Sequence, residues 1–458
     1  MENAHIKTHT VLDTLLSAVS AAVCAAMLCA AAAYVLLDAP KHGAAICLAG
    51  VAAALLLALP ARGTRRFSAA KLGAAVALTA LAVRAAYTLS VETVPVSDFE
   101  LLYSAAQEVA GVNPGALSGE YFELWGYQKP FVYYEALVIA LGGGTTALGL
   151  LNAAWGALTA WLVFAAARRF TSDGAAFAAA LLYALSPGAI MLTPVATNQC
   201  VSLALILLGV YLAVSGSGWR RAALAGCALA AGNLMRPEGI IAVGGLAVAA
   251  VLALARGEDW RALLRDLAAL LLAYFALQWA VGLLVPGGIG NAAPEWKFVL
   301  GLDTASGGRY SDANAWILEP ESAGERRAAA LDAIRASLSD AGGAGGVPGF
   351  FAGKAASFWG GYADSWLGVE HASDYFMRLA ERATFIAMSA LAVVGSLKRR
   401  SGAAHAAVKA AVAINFAAYL LIEVQSRYRY FVLPFLCILA AAGLETLAEC
   451  RHRAKKRV

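Results

Sequence analysis

The feature that most constrains this chain is a series of apolar runs, each near the length that crosses a membrane. Crossing the hydrocarbon core takes about 20 mostly apolar residues. Such runs lie near residues 11–37, 43–61, 69–90, 145–168, 174–195, 199–216, 221–234, 238–256, 266–286, 378–397, 403–424 and 430–449. The composition agrees, because 60% of the 458 residues are hydrophobic and 14% are charged. The sequence therefore predicts an all-α polytopic membrane protein with about twelve spans.

Basic residues gather in alternate connections between these runs. They are Arg62, Arg65, Arg66, Lys71, Arg168, Arg169, Arg220, Arg221, Arg256, Arg261, Arg265, Lys398, Arg399, Arg400, Arg451, Arg453, Lys455, Lys456 and Arg457. The positive-inside rule places such connections in the cytoplasm, which puts both termini inside a plasma membrane. Because the charges flank apolar runs and form no continuous patch, they do not indicate a nucleic-acid partner.

The opposite face receives two long segments, residues 91–144 and 287–377, which we call the first and second loop segments. They hold most of the clustered acidic and aromatic residues outside the spans. We divide the chain into an additional N-terminal pair of spans (1–68), a core that includes the first loop segment (69–286), the second loop segment as a subdomain (287–377), and C-terminal spans with a basic tail (378–458). We expect any chemistry to occur at the loop segments.

Asp98 is the first candidate for catalysis. Ser97 and Glu100 have the spacing of a capping box, so Asp98 falls in the first turn of a helix whose apolar positions share one face. The free amides of that turn favour an ionised carboxylate, which can act as a general base. The alternative is that Asp98 only begins the helix.

Four cations are candidates for binding a phosphate. Lys129 precedes Pro130 and an aromatic segment, where it either binds a lipid phosphate or extends towards the membrane surface beside an aromatic belt. Arg236 either binds phosphate or pairs with Glu238 or Glu135. Arg427 and Arg429 lie on the outer side, where the positive-inside rule does not place arginines, so they either bind an anion or anchor the chain at the interface. Further candidates for contacts with a sugar or acceptor are Glu100, Tyr103, Tyr133, Asn198, Glu238 and Tyr428.

Taken in order, four features resemble the GT-C membrane glycosyltransferases. These are an Asp in the first loop segment, Lys129-Pro130 before Tyr133-Tyr134, Arg168-Arg169-Phe170 at the end of a span, and Arg427-Tyr428-Arg429 before the last span. More narrowly, residues 69–449 look like the family 39 type, which includes the protein O-mannosyltransferases and the lipid A aminoarabinose transferase. The resemblance implies that Asp98 is the catalytic base and that Lys129 contacts the lipid phosphate. A looser likeness to Gram-positive members lies in residues 296–303 and 306–311.

The chain departs from that family at two positions. Phe131 replaces the second proline of the Lys-Pro-Pro motif, and Thr197-Asn198-Gln199 stands where relatives often carry an acid. The second departure weakens the case for a second carboxylate and for a divalent metal, and no cofactor is indicated.

The expected function is therefore the transfer of a hexosyl or pentosyl group, with inversion, from a polyprenyl-phosphate donor in the bilayer to a glycan, lipid or protein acceptor outside the membrane. One alternative is a transporter or lipid flippase, which predicts inverted repeats and charges near the membrane midplane. Another is a surface-polysaccharide polymerase or ligase, for which the arginines of the second loop segment, Arg309, Arg326, Arg327 and Arg335, leave room.

Overall fold

The computed structural model describes residues 2–57, 64–113, 115–320, 322–341, 346–361, 374–398 and 402–455. Its α-helices are α1 Glu2–Asp38, α2 Gly43–Leu56, α3 Ala69–Ser90, α4 Asp98–Ala110, α5 Glu120–Leu124, α6 Lys129–Ala140, α7 Thr145–Ala167, α8 Asp173–Ala184, α9 Pro187–Met191, α10 Gln199–Val214, α11 Trp219–Met235, α12 Gly239–Ala255, α13 Trp260–Leu284, α14 Trp296–Gly301, α15 Ala323–Ser339, α16 Gly346–Gly360, α17 Asp374–Ser396, α18 Ala403–Leu421 and α19 Leu433–Lys455. Short 3₁₀ helices cover Thr64–Arg66, Gly126–Gln128, Asp312–Leu318 and Ser426–Phe431. Of the basic residues used for topology, Arg62, Arg399, Arg400, Lys456 and Arg457 lie outside the described residues.

Within the described residues, every predicted span falls on one or two helices, and residues 58–61 of the predicted span 43–61 lie outside the described residues. The segment predicted at 174–195 is divided into α8 and α9, because Pro187 at the start of α9 cannot continue the hydrogen bonding of α8. Seven of the described helices are long and apolar enough to cross a membrane, and several shorter apolar helices accompany them. The all-helical, multi-pass membrane fold is thus confirmed, whereas the orientation of the termini stays a prediction.

The helices pack closely where small residues meet. A Cβ atom added at Gly443 of α19 would overlap the carbonyl oxygen of Leu391 in α17, and one added at Gly395 would overlap that of Leu439. Within a membrane, helices associate largely through such close van der Waals packing. The last helix, α19, is therefore held deep in the bundle, and most of its residues between Leu433 and Leu444 are buried.

The first loop segment folds back onto the bundle through a separate apolar cluster. Leu102 and Ala106 of α4 pack against Phe131 and Val132 of α6 in this cluster. This confirms the predicted apolar face of α4 and fixes the direction in which α4 begins. Its first residue, Asp98, consequently faces the second loop segment and the chain around 422–428.

The second loop segment is tied to both neighbours by backbone hydrogen bonds. Tyr127 N donates to Gly290 O at 3.2 Å, and Ala292 N donates to Leu124 O at 2.9 Å. On the other side, Val424 N donates to Gly308 O at 2.9 Å. These hydrogen bonds border a space between the two loop segments and the start of the last helix.

Lys354 of α16 stabilises the same junction through hydrogen bonds. Its side chain is buried, and Nζ donates to the carbonyl oxygens of Gly301 at 2.5 Å, Leu420 at 2.9 Å and Ile422 at 2.8 Å. Two of these carbonyls belong to the C-terminal end of α18, where a positive charge also meets the negative end of the helix dipole.

Replacing Lys354 with Met should therefore lower the free energy of unfolding by about 1–3 kcal/mol, because buried carbonyl groups lose their donor. Thermal unfolding of the purified protein in detergent measures the loss. The matched control is Lys41→Met, since Lys41 is exposed, and equal melting temperatures for the two variants would contradict the capping role.

Candidate active site

A cavity of about 460 Å³ lies between the two loop segments and the loop before α19. Six separate stretches of chain reach it, from α4, the residues before α6, the start of α10, the α11–α12 junction, the second loop segment and residues 419–428. Its charged and polar lining consists of Asp98, Tyr121, Tyr127, Gln128, Asn198, Arg236, Glu238, Asn291, Lys297, Tyr310, Tyr419, Glu423, Gln425, Arg427 and Tyr428. The space brings together predicted site residues that are far apart in the sequence.

Asp98 is the first residue of α4, and its side chain is exposed to this cavity. The predicted capping box is wrong, because the Ser97 side chain makes no hydrogen bond to the helix. Ser97 instead has φ 56° and ψ −132°, a conformation that favours glycine. Such backbone strain persists only where the surroundings impose it, and it often lies beside functional residues.

Arg427 lines the cavity together with Asp98. Its guanidinium is 4.6 Å from the ring centre of Phe99, the residue that follows Asp98, and 5.4 Å from that of Tyr428. The Gln199 side chain donates to the backbone carbonyl of Arg427 at 2.9 Å, which holds the 3₁₀ helix Ser426–Phe431 against the start of α10. The predicted cation thus faces the same space as the predicted base.

Arg236 also approaches Tyr428, with its guanidinium 4.7 Å from that ring centre. Its Nε is 3.0 Å from Glu238 Oε1, so the ion pair with Glu238 that the sequence offered as an alternative is present, and Arg236 does not pair with Glu135. Glu238 also accepts a hydrogen bond from the Tyr419 hydroxyl at 2.9 Å. Asn198 Oδ1 lies 3.4 Å from the guanidinium. Arg236 is therefore fixed in place while it lines the cavity.

The sequence reasoning missed an ion pair between Lys297 of α14 and Glu423. The other carboxylate oxygen of Glu423 accepts a hydrogen bond from Gln425 Nε2 at 2.6 Å, and Glu423 N donates to Lys297 O at 2.9 Å. Lys297 stood inside a recognised motif, but nothing local to either residue indicates a partner 126 positions away. The signal that could have indicated Glu423 is its position as a carboxylate between an apolar span and a basic cluster.

Burial and neighbouring charges shift the pKa values of one lysine and two tyrosines of the cavity. Burial lowers the pKa of Lys297, but Tyr428 and Glu423 outweigh burial and raise that pKa above its usual value. Burial raises the pKa of Tyr127, against the opposing positive charges of Lys297 and Arg236. Burial likewise raises the pKa of Tyr121, and the negative charge of Asp98 adds to the rise. Near neutral pH, the lysine is charged and both tyrosines keep their protons.

Two predicted phosphate ligands lie elsewhere. The Lys129 side chain is buried and donates to the carbonyl oxygen of Pro286 at 2.9 Å. Arg429 is buried, forms an ion pair with Glu381 at 2.8 Å, and donates to Trp359 O at 2.8 Å and to Gly361 O at 2.7 Å. Neither residue lines the cavity, because each side chain is held by partners inside the protein.

Of the residues predicted to contact sugar or acceptor, Asn198, Glu238 and Tyr428 line the cavity, whereas Glu100, Tyr103 and Tyr133 do not. Glu100 is exposed on the turn of α4 that follows Asp98, and Tyr133 is exposed on α6. Tyr103 lies towards Gly144, near the start of α7.

Three carboxylates and three cations line the cavity: Asp98, Glu238, Glu423, Arg236, Lys297 and Arg427. Glu238 and Glu423 form ion pairs with Arg236 and Lys297, whereas Asp98 is exposed to the cavity. A carboxylate can remove a proton from a hydroxyl or amine, and cations can stabilise a departing anion.

Among the described residues, no group of three or more His, Cys, Asp or Glu side chains has the geometry to hold a metal ion. Four arginines of the second loop segment left room for a polymerase or ligase, but none of them belongs to the cavity lining. They are Arg309, Arg326, Arg327 and Arg335.

Comparisons with known proteins report a family model that matches part of the chain and a solved structure with a similar fold. Residues 130–284 match the family model described as dolichyl-phosphate-mannose-protein mannosyltransferase. No curated protein matches the chain. A solved structure of the archaeal oligosaccharyltransferase AglB from Archaeoglobus fulgidus, in complex with an inhibitory peptide and a dolichol-phosphate, is 14% identical with a TM-score of 0.45. The similarity covers 86% of this chain and 52% of that one, so this chain spans about half the length of the archaeal enzyme. Through the family model, the resemblance to the GT-C membrane glycosyltransferases predicted from the motifs is confirmed over residues 130–284.

Proposed function

We propose that this protein is a membrane glycosyltransferase that moves a sugar from a polyprenyl-phosphate donor to an acceptor bound in the cavity. The observation that carries the proposal is the convergence of Asp98, Arg236 and Arg427 on one space of about 460 Å³. The family model matched by residues 130–284 is named for enzymes that use a sugar linked to a lipid phosphate. For this chain we propose the same chemical class of donor, with a glycan, lipid or protein as acceptor.

In the proposed reaction, Asp98 removes a proton from an acceptor hydroxyl or amine as that group attacks the anomeric carbon of the donor. The bond between this carbon and the phosphate oxygen breaks, and the electron pair leaves with the polyprenyl phosphate. A phosphate is already a stable leaving group, so cations rather than a general acid assist its departure. One direct displacement from the face opposite the phosphate inverts the anomeric centre.

Arg427 and Arg236 are the cations that we assign to the donor. Guanidinium groups suit phosphate because their planar N–H donors match two phosphate oxygens at once. Both arginines lie beside the Tyr428 ring, at 5.4 Å and 4.7 Å from its centre, so they approach the cavity from adjacent positions. We propose that the cavity opens on the outer face of the plasma membrane, with both termini in the cytoplasm, in agreement with the distribution of basic residues.

Mass spectrometry of cells with and without the protein tests this function. We expect that removing the protein eliminates one sugar decoration from surface glycans, lipids or proteins. Because the donor is no longer consumed, we also expect the corresponding polyprenyl-phosphate sugar to accumulate in the membrane lipids. Restoring the wild-type chain should reverse both changes, and unchanged decorations together with unchanged lipid-linked sugars would overturn the proposal.

A further inference from the structure

The cavity contains a lysine, but it is not the lysine of the Lys-Pro motif. Lys129 does not line the cavity, and its ammonium group donates a hydrogen bond to the carbonyl oxygen of Pro286 at 2.9 Å. Lys297, from the second loop segment, lines the cavity together with Asp98, Arg236 and Arg427. The ammonium group at the cavity therefore comes from the second loop segment and not from the Lys-Pro motif.

The surroundings of Lys297 hold its ammonium group without covering it. The Glu423 side chain is only 1% exposed, whereas 37% of the Lys297 side chain remains accessible. Glu423 takes one N–H of the ammonium group, and Gln425 Nε2 occupies the other carboxylate oxygen at 2.6 Å. An ammonium group has three donors, so two remain to bind a ligand.

A second observation relates Lys297 to the arginines. Lys297 and Arg236 line the cavity together with Tyr127, and the positive charge of each lowers the pKa of the Tyr127 hydroxyl. Arg236 in turn lies beside Tyr428, which Arg427 approaches as well. Cations from the second loop segment, the α11–α12 junction and the loop before α19 therefore surround one part of the cavity.

We propose that Lys297 binds the phosphate of the lipid-linked donor, in the role that the motif resemblance gave to Lys129. This inference rests on the proposed function, because it presumes that a polyprenyl phosphate enters the cavity. Glu423 is then the partner that partly neutralises the ammonium group, and Lys129 joins the first loop segment to Pro286, the residue just before the second loop segment. The phosphate oxygens accept hydrogen bonds from Lys297 and from the arginines at its side.

Binding of a polyprenyl monophosphate tests the inference without knowledge of the sugar. Affinities for this lipid, and for the corresponding polyprenol, are measured with the full-length protein in nanodiscs for the wild type and for Lys297→Gln, Glu423→Gln and Lys129→Gln. We expect Lys297→Gln to weaken binding of the monophosphate by about 10- to 100-fold, since a charge-assisted hydrogen bond is lost. Lys297→Arg should restore most of the affinity. Melting temperatures identify any variant that does not fold.

Glu423→Gln separates phosphate binding from a purely structural ion pair. If Lys297 binds phosphate, removing its neutralising partner should leave the affinity unchanged or increase it. If the pair only tethers α14, Lys297→Gln and Glu423→Gln should weaken binding equally, which would overturn the inference. Wild-type affinity in Lys297→Gln, or a large loss in Lys129→Gln with none in Lys297→Gln, would overturn it as well.

The same experiment distinguishes failure of the inference from failure of the proposed function. A wild-type protein that prefers the monophosphate over the polyprenol supports a lipid-phosphate site, whichever lysine serves it. A wild-type protein with no such preference would overturn the proposed function itself.

Discussion

Replacing Asp98 with Asn should reduce sugar transfer by about 100- to 10,000-fold, the range that general-base catalysis contributes. Asparagine has almost the same shape but cannot accept the proton of the acceptor. The affinity for polyprenyl monophosphate should be unchanged or higher, because a negative charge leaves a cavity that binds an anion. Transfer is measured in proteoliposomes supplied with polyprenyl-phosphate sugars extracted from the source membranes.

The matched control for Asp98 is Glu108→Gln. Glu108 lies on the same helix, is exposed, and is absent from the cavity lining, so this variant removes an equal charge from the same element. We expect it to transfer sugar at the wild-type rate. If Asp98→Asn transferred sugar as fast as Glu108→Gln, Asp98 would not be the base.

Arg429→Met should destabilise the fold by about 3–5 kcal/mol, the usual cost of removing one partner of a buried ion pair. Arg429 is 3% exposed, and its loss leaves the buried Glu381 carboxylate and the carbonyl oxygens of Trp359 and Gly361 without this donor. Thermal unfolding in detergent should therefore show a large fall in melting temperature. Arg335→Met, in an exposed pair with Asp332, should show almost none.

A double variant separates this structural role from phosphate binding. Combining Arg429→Met with Glu381→Gln should recover part of the lost stability, because the uncompensated charge is removed as well. If Arg429 bound phosphate directly, Arg429→Met would instead keep its melting temperature and lose affinity for polyprenyl monophosphate. That outcome would show that the ion pair between Arg429 and Glu381 does not stabilise the fold.

The membrane fold follows from the sequence because the bilayer imposes a length and a composition on each span. The helix Ala69–Ser90 and its neighbour Thr145–Ala167 agree with their predicted bounds to within a residue. The break before Pro187 was not predicted, although the missing amide of proline explains it. Local sequence thus determines where helices form more reliably than where a long apolar run divides.

The site was predictable in part. Asp98 was proposed from its place in the first turn of a helix, Arg236 as a charge at the end of an apolar span, and Arg427 as an exception to the positive-inside rule. The structure brings all three to the cavity lining. Side-chain direction was not predictable, because it depends on partners remote in sequence. Lys129 is held by a carbonyl 157 positions away, and Arg429 by a carboxylate 48 positions away. For the same reason, Lys297 could not be recognised as a cavity residue before Glu423 was placed beside it.

The central claim is that the phosphate of a lipid donor binds in the cavity that contains Asp98. Cryo-electron microscopy of the wild-type protein in nanodiscs with a polyprenyl monophosphate tests this most directly. We expect phosphate density within about 3 Å of the side-chain nitrogens of Arg236, Lys297 or Arg427. Phosphate density at Lys129, with its contact to Pro286 broken and the cavity empty, would contradict the account.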